Sequence, residues 1–112
     1  MRYDDAAWRP HDEVEAIFAS GSEQAICDAL AGAALKDDDA AWIEPWCVML
    51  AESRSAAIRG LAATCLGHAA RRFGRIPPES VALLRQLSAD PEVGGLADEA
   101  LNDVATFADP TG

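Results

Sequence analysis

The stretch Ile58-Arg59-Gly60-Leu61-Ala62-Ala63-Thr64-Cys65-Leu66-Gly67-His68-Ala69-Ala70-Arg71-Arg72-Phe73-Gly74 decides the fold. Ile58, Leu61, Ala62, Cys65, Leu66, Ala69 and Phe73 recur three and four residues apart, which gathers them on one stripe of an α-helix and does not fit the two-residue alternation of a strand. Ser55 stands before the run, and Gly74 stops it as glycine does just past a helix end. Gly60, Ala62, Ala63 and Gly67 are small, so a neighbouring helix can approach closely on that side.

Downstream, Pro77-Pro78 form a short rigid connector, and Val81, Leu83, Leu84 and Leu87 mark the next helix. Asp90-Pro91 reads as an N-cap and first-turn proline that open a last helix carrying Leu96, Ala97, Ala100, Leu101, Val104 and Phe107. Upstream, Pro10 opens a helix over His11–Ser20 with Val14, Ile17 and Phe18 on one stripe, and Gly21 closes it. Ser22 caps a second helix to about Leu35, its buried face holding Ile26, Leu30 and Ala33. Asp37-Asp38-Asp39 make a loop and an anionic cap for a third helical segment, from about Ala40 to Ala51, which Pro45 must kink or begin afresh. The expectation is one all-α domain over residues 1–112, built from three helical hairpins at about 10–35, 39–73 and 78–107.

Two hairpins read as copies. A shift of 35 places Gly60-Leu61-Ala62 on Gly95-Leu96-Ala97, Cys65-Leu66 on Ala100-Leu101 and Ala69-Ala70 on Val104-Ala105. Hairpins repeated at this spacing suit a solenoid, in which each unit buries its apolar stripe against its neighbours. The stretch from Ile58 to Arg71, continued through Asp90-Pro91-Glu92-Val93 and Asp98-Glu99-Ala100-Leu101-Asn102-Asp103-Val104, resembles small bacterial HEAT-like repeat proteins. These include immunity proteins of contact-dependent inhibition and other polymorphic toxin systems. The resemblance spans roughly residues 42–107; residues 1–41 add little beyond helical character. It implies a HEAT-like α-solenoid of about three stacked hairpins. For function it implies a cytoplasmic inhibitor that binds a cognate toxin domain, often a nuclease.

Composition narrows the alternatives. A chain of 112 residues can bury roughly two-thirds of its unfolded surface in one core. No run approaches the roughly 18 apolar residues that span a bilayer, and Met1-Arg2-Tyr3-Asp4-Asp5 does not lead into a secretory apolar region, so a cytoplasmic chain with no membrane partner is expected. Cys27, Cys47 and Cys65 are odd in number, widely spaced and set in apolar helical patterns; they read as reduced core thiols rather than a disulfide framework or metal site. Nothing matches a phosphate loop, a metalloprotease helix or a nucleophile triad, and neither His11 nor His68 has a context that activates a nucleophile, so neither an enzyme nor a cofactor is expected. Acid–base or divalent-cation chemistry at Asp98 and Asp103 is outweighed by the simpler reading of solvated carboxylates.

The net charge of −10 is unevenly placed. Residues 1–53 hold twelve acids against three bases, whereas residues 54–112 hold seven against six. The acidic half repels nucleic acid and attracts a basic partner, as a nuclease domain is; it serves equally as a solvated surface that keeps the chain soluble. Within it, Asp37, Asp38, Asp39 and Glu44 adjoin Trp42 and Trp46, which share a helical face if Pro45 leaves the helix intact. Tryptophans ringed by charge suit a partner interface. Both rings can equally lie between the first and second hairpins, the favoured place for Trp46. A second surface follows from the repeat, which sets His68 beside Asp103 and Thr64 beside Glu99, with Arg71 one turn on. It is either a binding groove or a ladder of ion pairs and hydrogen bonds between helices. A scaffold or adaptor that presents such a groove, or an enzyme's accessory subunit, are the alternatives to an immunity protein.

Overall fold

A computed structural model describes residues 10–37 and 39–108. Six α-helices follow one another: α1 (His11–Ser20), α2 (Glu23–Lys36), α3 (Ala40–Leu50), α4 (Ala56–Phe73), α5 (Pro78–Leu87) and α6 (Gly94–Phe107). There is no strand among the described residues. Their boundaries follow capping chemistry. The hydroxyl of Ser22 accepts the N–H of Ala25, the carboxylate of Asp39 that of Trp42, and the hydroxyl of Ser55 that of Ile58. Gly74 ends α4 in the left-handed region at φ 72°, where a side chain would be strained.

The helices pair as α1–α2, α3–α4 and α5–α6, and the second members form a row in which α4 lies between α2 and α6. This is an all-α, solenoid-like stack of three hairpins. The α4–α6 contact is the most extensive, and glycine permits it. A Cβ on Gly60 would lie 2.7 Å from Leu96 Cδ1, and one on Gly67 would lie 3.1 Å from the Cα of Ala100. The core between the layers holds Leu30, Cys47, Leu66 and Leu84, each essentially without exposure. Each such leucine contributes on the order of 1.5–3 kcal/mol of apolar burial.

Some expectations require correction. The final helix starts at Gly94, not at Pro91: Asp90 caps the preceding turn, accepting the N–H of Glu92 at 2.8 Å, and leaves α6 without a side-chain cap. That N–H first, opposed by desolvation and then helped by the N–H of Val93 and the nearby Arg59, holds the Asp90 carboxyl below the usual carboxylate range. Arg59 ties the second and third hairpins together from here. Its Nε lies 3.3 Å from Asp90 and its Nη2 3.2 Å from Glu92, while Nη1 donates to the carbonyls of Ser53 and Arg54. Helix α3 runs through Pro45 without restarting. Pro45 and Ala41 are both exposed, so the carbonyl that the proline leaves unpaired faces water. On α6, Leu101 is only half-buried and Leu96 and Phe107 are exposed, because the last helix of the row has a neighbour on one side only.

Candidate functional site

The acidic segment after α2 is a joint rather than an open patch. Asp37 is 4% exposed. One of its oxygens lies 2.7 Å from Nε2 of His11 at the start of α1, and the other accepts the N–H of Asp39 at 2.8 Å. Arg72, in the last turn of α4, donates to the carbonyls of Ala34 and Asp37 at 2.7 and 2.8 Å. Four chain segments thus meet at one carboxylate and one guanidinium. The hydrogen bonds answer the burial of Asp37, and this corrects its expected place on a solvent-facing contact surface. Asp38 lies outside the described residues. Asp39 is exposed as the cap of α3.

Trp42 and Trp46 do share the face of α3 that meets α1. The ring of Trp42 stacks on His11 with centroids 3.7 Å apart and planes 2° from parallel, and its Nε1 donates to Glu15 at 2.7 Å. Trp46 tilts against Phe18 with centroids 5.1 Å apart. Both are half-buried, Trp46 in the inter-hairpin place favoured for it. Glu44 has Arg75 and Glu79 as its charged neighbours, so it does not group with the tryptophan edge. Burial pushes its carboxyl up, Arg75 draws it back and Glu79 adds to the rise. His11 and Asp37 make the paired imidazole and carboxylate of an acid–base dyad, but no hydroxyl or thiol hydrogen-bonds to the ring among the described residues.

Helix α4 shows solvent one stripe: Ala57, Leu61, Thr64, His68 and Arg71 are half-buried or exposed while the residues between them are mostly covered. The expected ladder across to α6 is not formed. The Thr64 hydroxyl donates to Gly60 in its own helix at 3.0 Å, and no bond joins His68 to Asp103 or Thr64 to Glu99 among the described residues. Asp103 lies over Gly67 instead, and Glu99 is exposed. His68 and Arg71 open with Arg72, Leu35 and Phe107 onto a cleft of about 450 Å3. Leu35 and Phe107 were missed as site residues, since each completes an apolar helical stripe. The 35-residue offset, extended one turn, sets Arg72 opposite Phe107 and could have pointed to that residue; no such signal marks Leu35.

The cysteines are free thiols. The side-chain hydrogen bond with Cys65 and then burial push the Cys47 thiol well up, and burial followed by Glu23 and Asp28 raises that of Cys27. Such thiols are poor nucleophiles. Among the described residues, no cluster of three His, Cys, Asp or Glu is placed to hold a metal, and no helix is long and apolar enough to cross a membrane.

No family model and no curated protein matches the chain. Among solved structures, a chain in the crystal structure of the CDI complex from Cupriavidus taiwanensis LMG 19424 is 34% identical to it, with a TM-score of 0.80. The match covers 96% of this chain and 97% of that one. The protein belongs to the family of that CDI-complex component. The shared length takes in nearly all of this CDI-complex family member. Identity at one residue in three over such length fixes the relation as well as the architecture.

Proposed function

We propose that the protein is an immunity protein, which binds a cognate toxin domain in the cytoplasm and neutralises it as a stoichiometric protein–protein complex. The observation that carries this reading is the likeness, over nearly the full length of both chains, to a component of a CDI complex. The charge supports a basic partner such as a nuclease, because most of the net −10 comes from the half that contains α1 to α3. There, Asp12 and Glu13 in the first turn of α1 and Asp39 at the start of α3 are exposed, on the two helices that frame the half-buried ring of Trp42, and they are among the acids open to a basic surface. Trp46 stands at the margin of that face, whereas Glu44 has Arg75 and Glu79 as its neighbours and lies away from it. Asp103 and Glu99 lie apart from it on α6.

The test is co-expression with the C-terminal domain of the large gene product encoded immediately upstream. A stable one-to-one complex and restored growth of the toxin-producing cells are the expected results. No complex and no rescue would overturn the reading and favour a scaffold. Given a complex, reversing Asp12, Glu13 and Asp39 to lysine is expected to slow association about tenfold or more at low salt and to flatten its salt dependence. An unchanged association rate would move the basic contact elsewhere.

A further inference from the structure

Helices α2 and α4 end in cations, Lys36 and the pair Arg71 and Arg72, and the cleft lies where they and α6 stop. Cations in a last turn complement the helix dipole, and Arg72 further serves as the cap of α2. Those roles leave two features unexplained. Leu35 and Phe107 flank the cleft with 48% of each surface in water, although both are large and apolar. Between them the Arg71 guanidinium has no hydrogen bond or ion pair among the described residues; it lies 5.4 Å from the centroid of the Phe107 ring. A guanidinium on an aromatic face keeps its fork of donors directed outward, suited to a carboxylate.

We infer that this cleft is a second docking point for the partner, and that it takes an acidic side chain of the toxin domain with an apolar residue beside it. The carboxylate sits on Arg71, with His68 alongside, and the apolar neighbour covers Leu35 and Phe107. The inference rests on the immunity reading and deepens it. A basic partner that meets acids at α1 and α3 and a cation at the cleft meets two surfaces of opposite sign. Only one orientation satisfies both, and the wrong one brings like charges together. The cleft therefore selects the cognate toxin, while the acidic face accelerates encounter with basic domains in general.

The experiment measures the affinity of wild type, R71E, R71K and F107A for the upstream toxin domain by calorimetry, with thermal unfolding of each free variant as a folding control. Both positions are exposed, so R71K and F107A are expected to melt like wild type and R71E only slightly lower, because an acid in the last turn of α4 opposes the helix dipole. R71E and F107A are each expected to weaken binding about tenfold or more, R71K to a smaller degree, and a toxin variant with one acid reversed to lysine to restore affinity for R71E. If wild type binds and both variants bind within about twofold of it, the cleft inference is overturned while immunity stands. If wild type does not bind, both fall. Loss of affinity that no acid reversal in the toxin rescues would overturn the acidic occupant. A wild-type dimer in sedimentation that R71E dissociates would assign the cleft to a second copy of this chain.

Discussion

The carboxylate of Asp37 is satisfied by the imidazole of His11 at the start of α1 and by the backbone amide of Asp39 in its own loop. Replacing it with alanine leaves His11 and the Asp39 N–H short of an acceptor inside the protein. Asp37→Ala is therefore expected to cost about 2–4 kcal/mol in urea unfolding, against at most about 0.5 kcal/mol for Asp39→Asn, which keeps a capping oxygen. Glu44 behaves in the opposite sense. Its folded pKa is raised, so the stability it contributes is present below its unfolded pKa and is lost as pH rises through the folded one. Glu44→Gln should therefore raise the Tm at pH 7, with the gain vanishing below about pH 4, where wild-type Glu44 is itself neutral. A gain that persists in acid would mean that packing, not charge, is responsible. Neither behaviour was legible locally. Asp37, Asp38 and Asp39 are identical residues in one run, and which of them turns inward is decided by His11 and Arg72, 26 and 35 positions away.

Helices were legible because their signals are local: Ser22, Asp39, Ser55 and Gly74 each carry the chemistry that starts or stops the element beside it. The start of α6 was misread because Asp90 caps a turn as well as it would cap a helix. The repeat conveyed which helices neighbour each other but not how each position is used. Gly60 and Gly95 correspond under the 35-residue offset, yet a Cβ on Gly95 meets nothing within 4 Å, whereas Gly60 faces Leu96. Helix α4 has company on both sides and α6 on one. Gly60 and Gly67 differ for another reason. The atom opposing Gly60 is the tip of a partly exposed leucine, which can swing aside; Gly67 is opposed by the Cα and Cβ of Ala100, which cannot move without the helix. Gly60→Ala is expected to be neutral or mildly stabilising, and Gly67→Ala less stable than it by about 1–2 kcal/mol, as read by chemical denaturation. Equal stabilities would argue against the α4–α6 spacing described.

At the scale of the whole molecule, burial falls away from the middle of the row. Leu66 on α4 is wholly buried, whereas Leu101, its copy by offset minus one helix neighbour, is half-buried. Leu66→Ala should cost about 2–5 kcal/mol and Leu101→Ala no more than about half as much, although the repeat pattern alone sets them equal. The row of hairpins was readable from periodicity; the cleft was not, because it arises where three helices separated in sequence happen to stop together. The Arg72 contact has a consequence in time. Ribosomes release roughly 5–20 residues per second, so the 35 residues between Asp37 and Arg72 take roughly 2–7 s to follow it. For that interval α1 and α2 exist without the guanidinium that closes the end of α2. The first hairpin is thus born open, and a nascent chain halted before Arg72 should leave that end exposed to proteases that no longer cut it once α4 is complete.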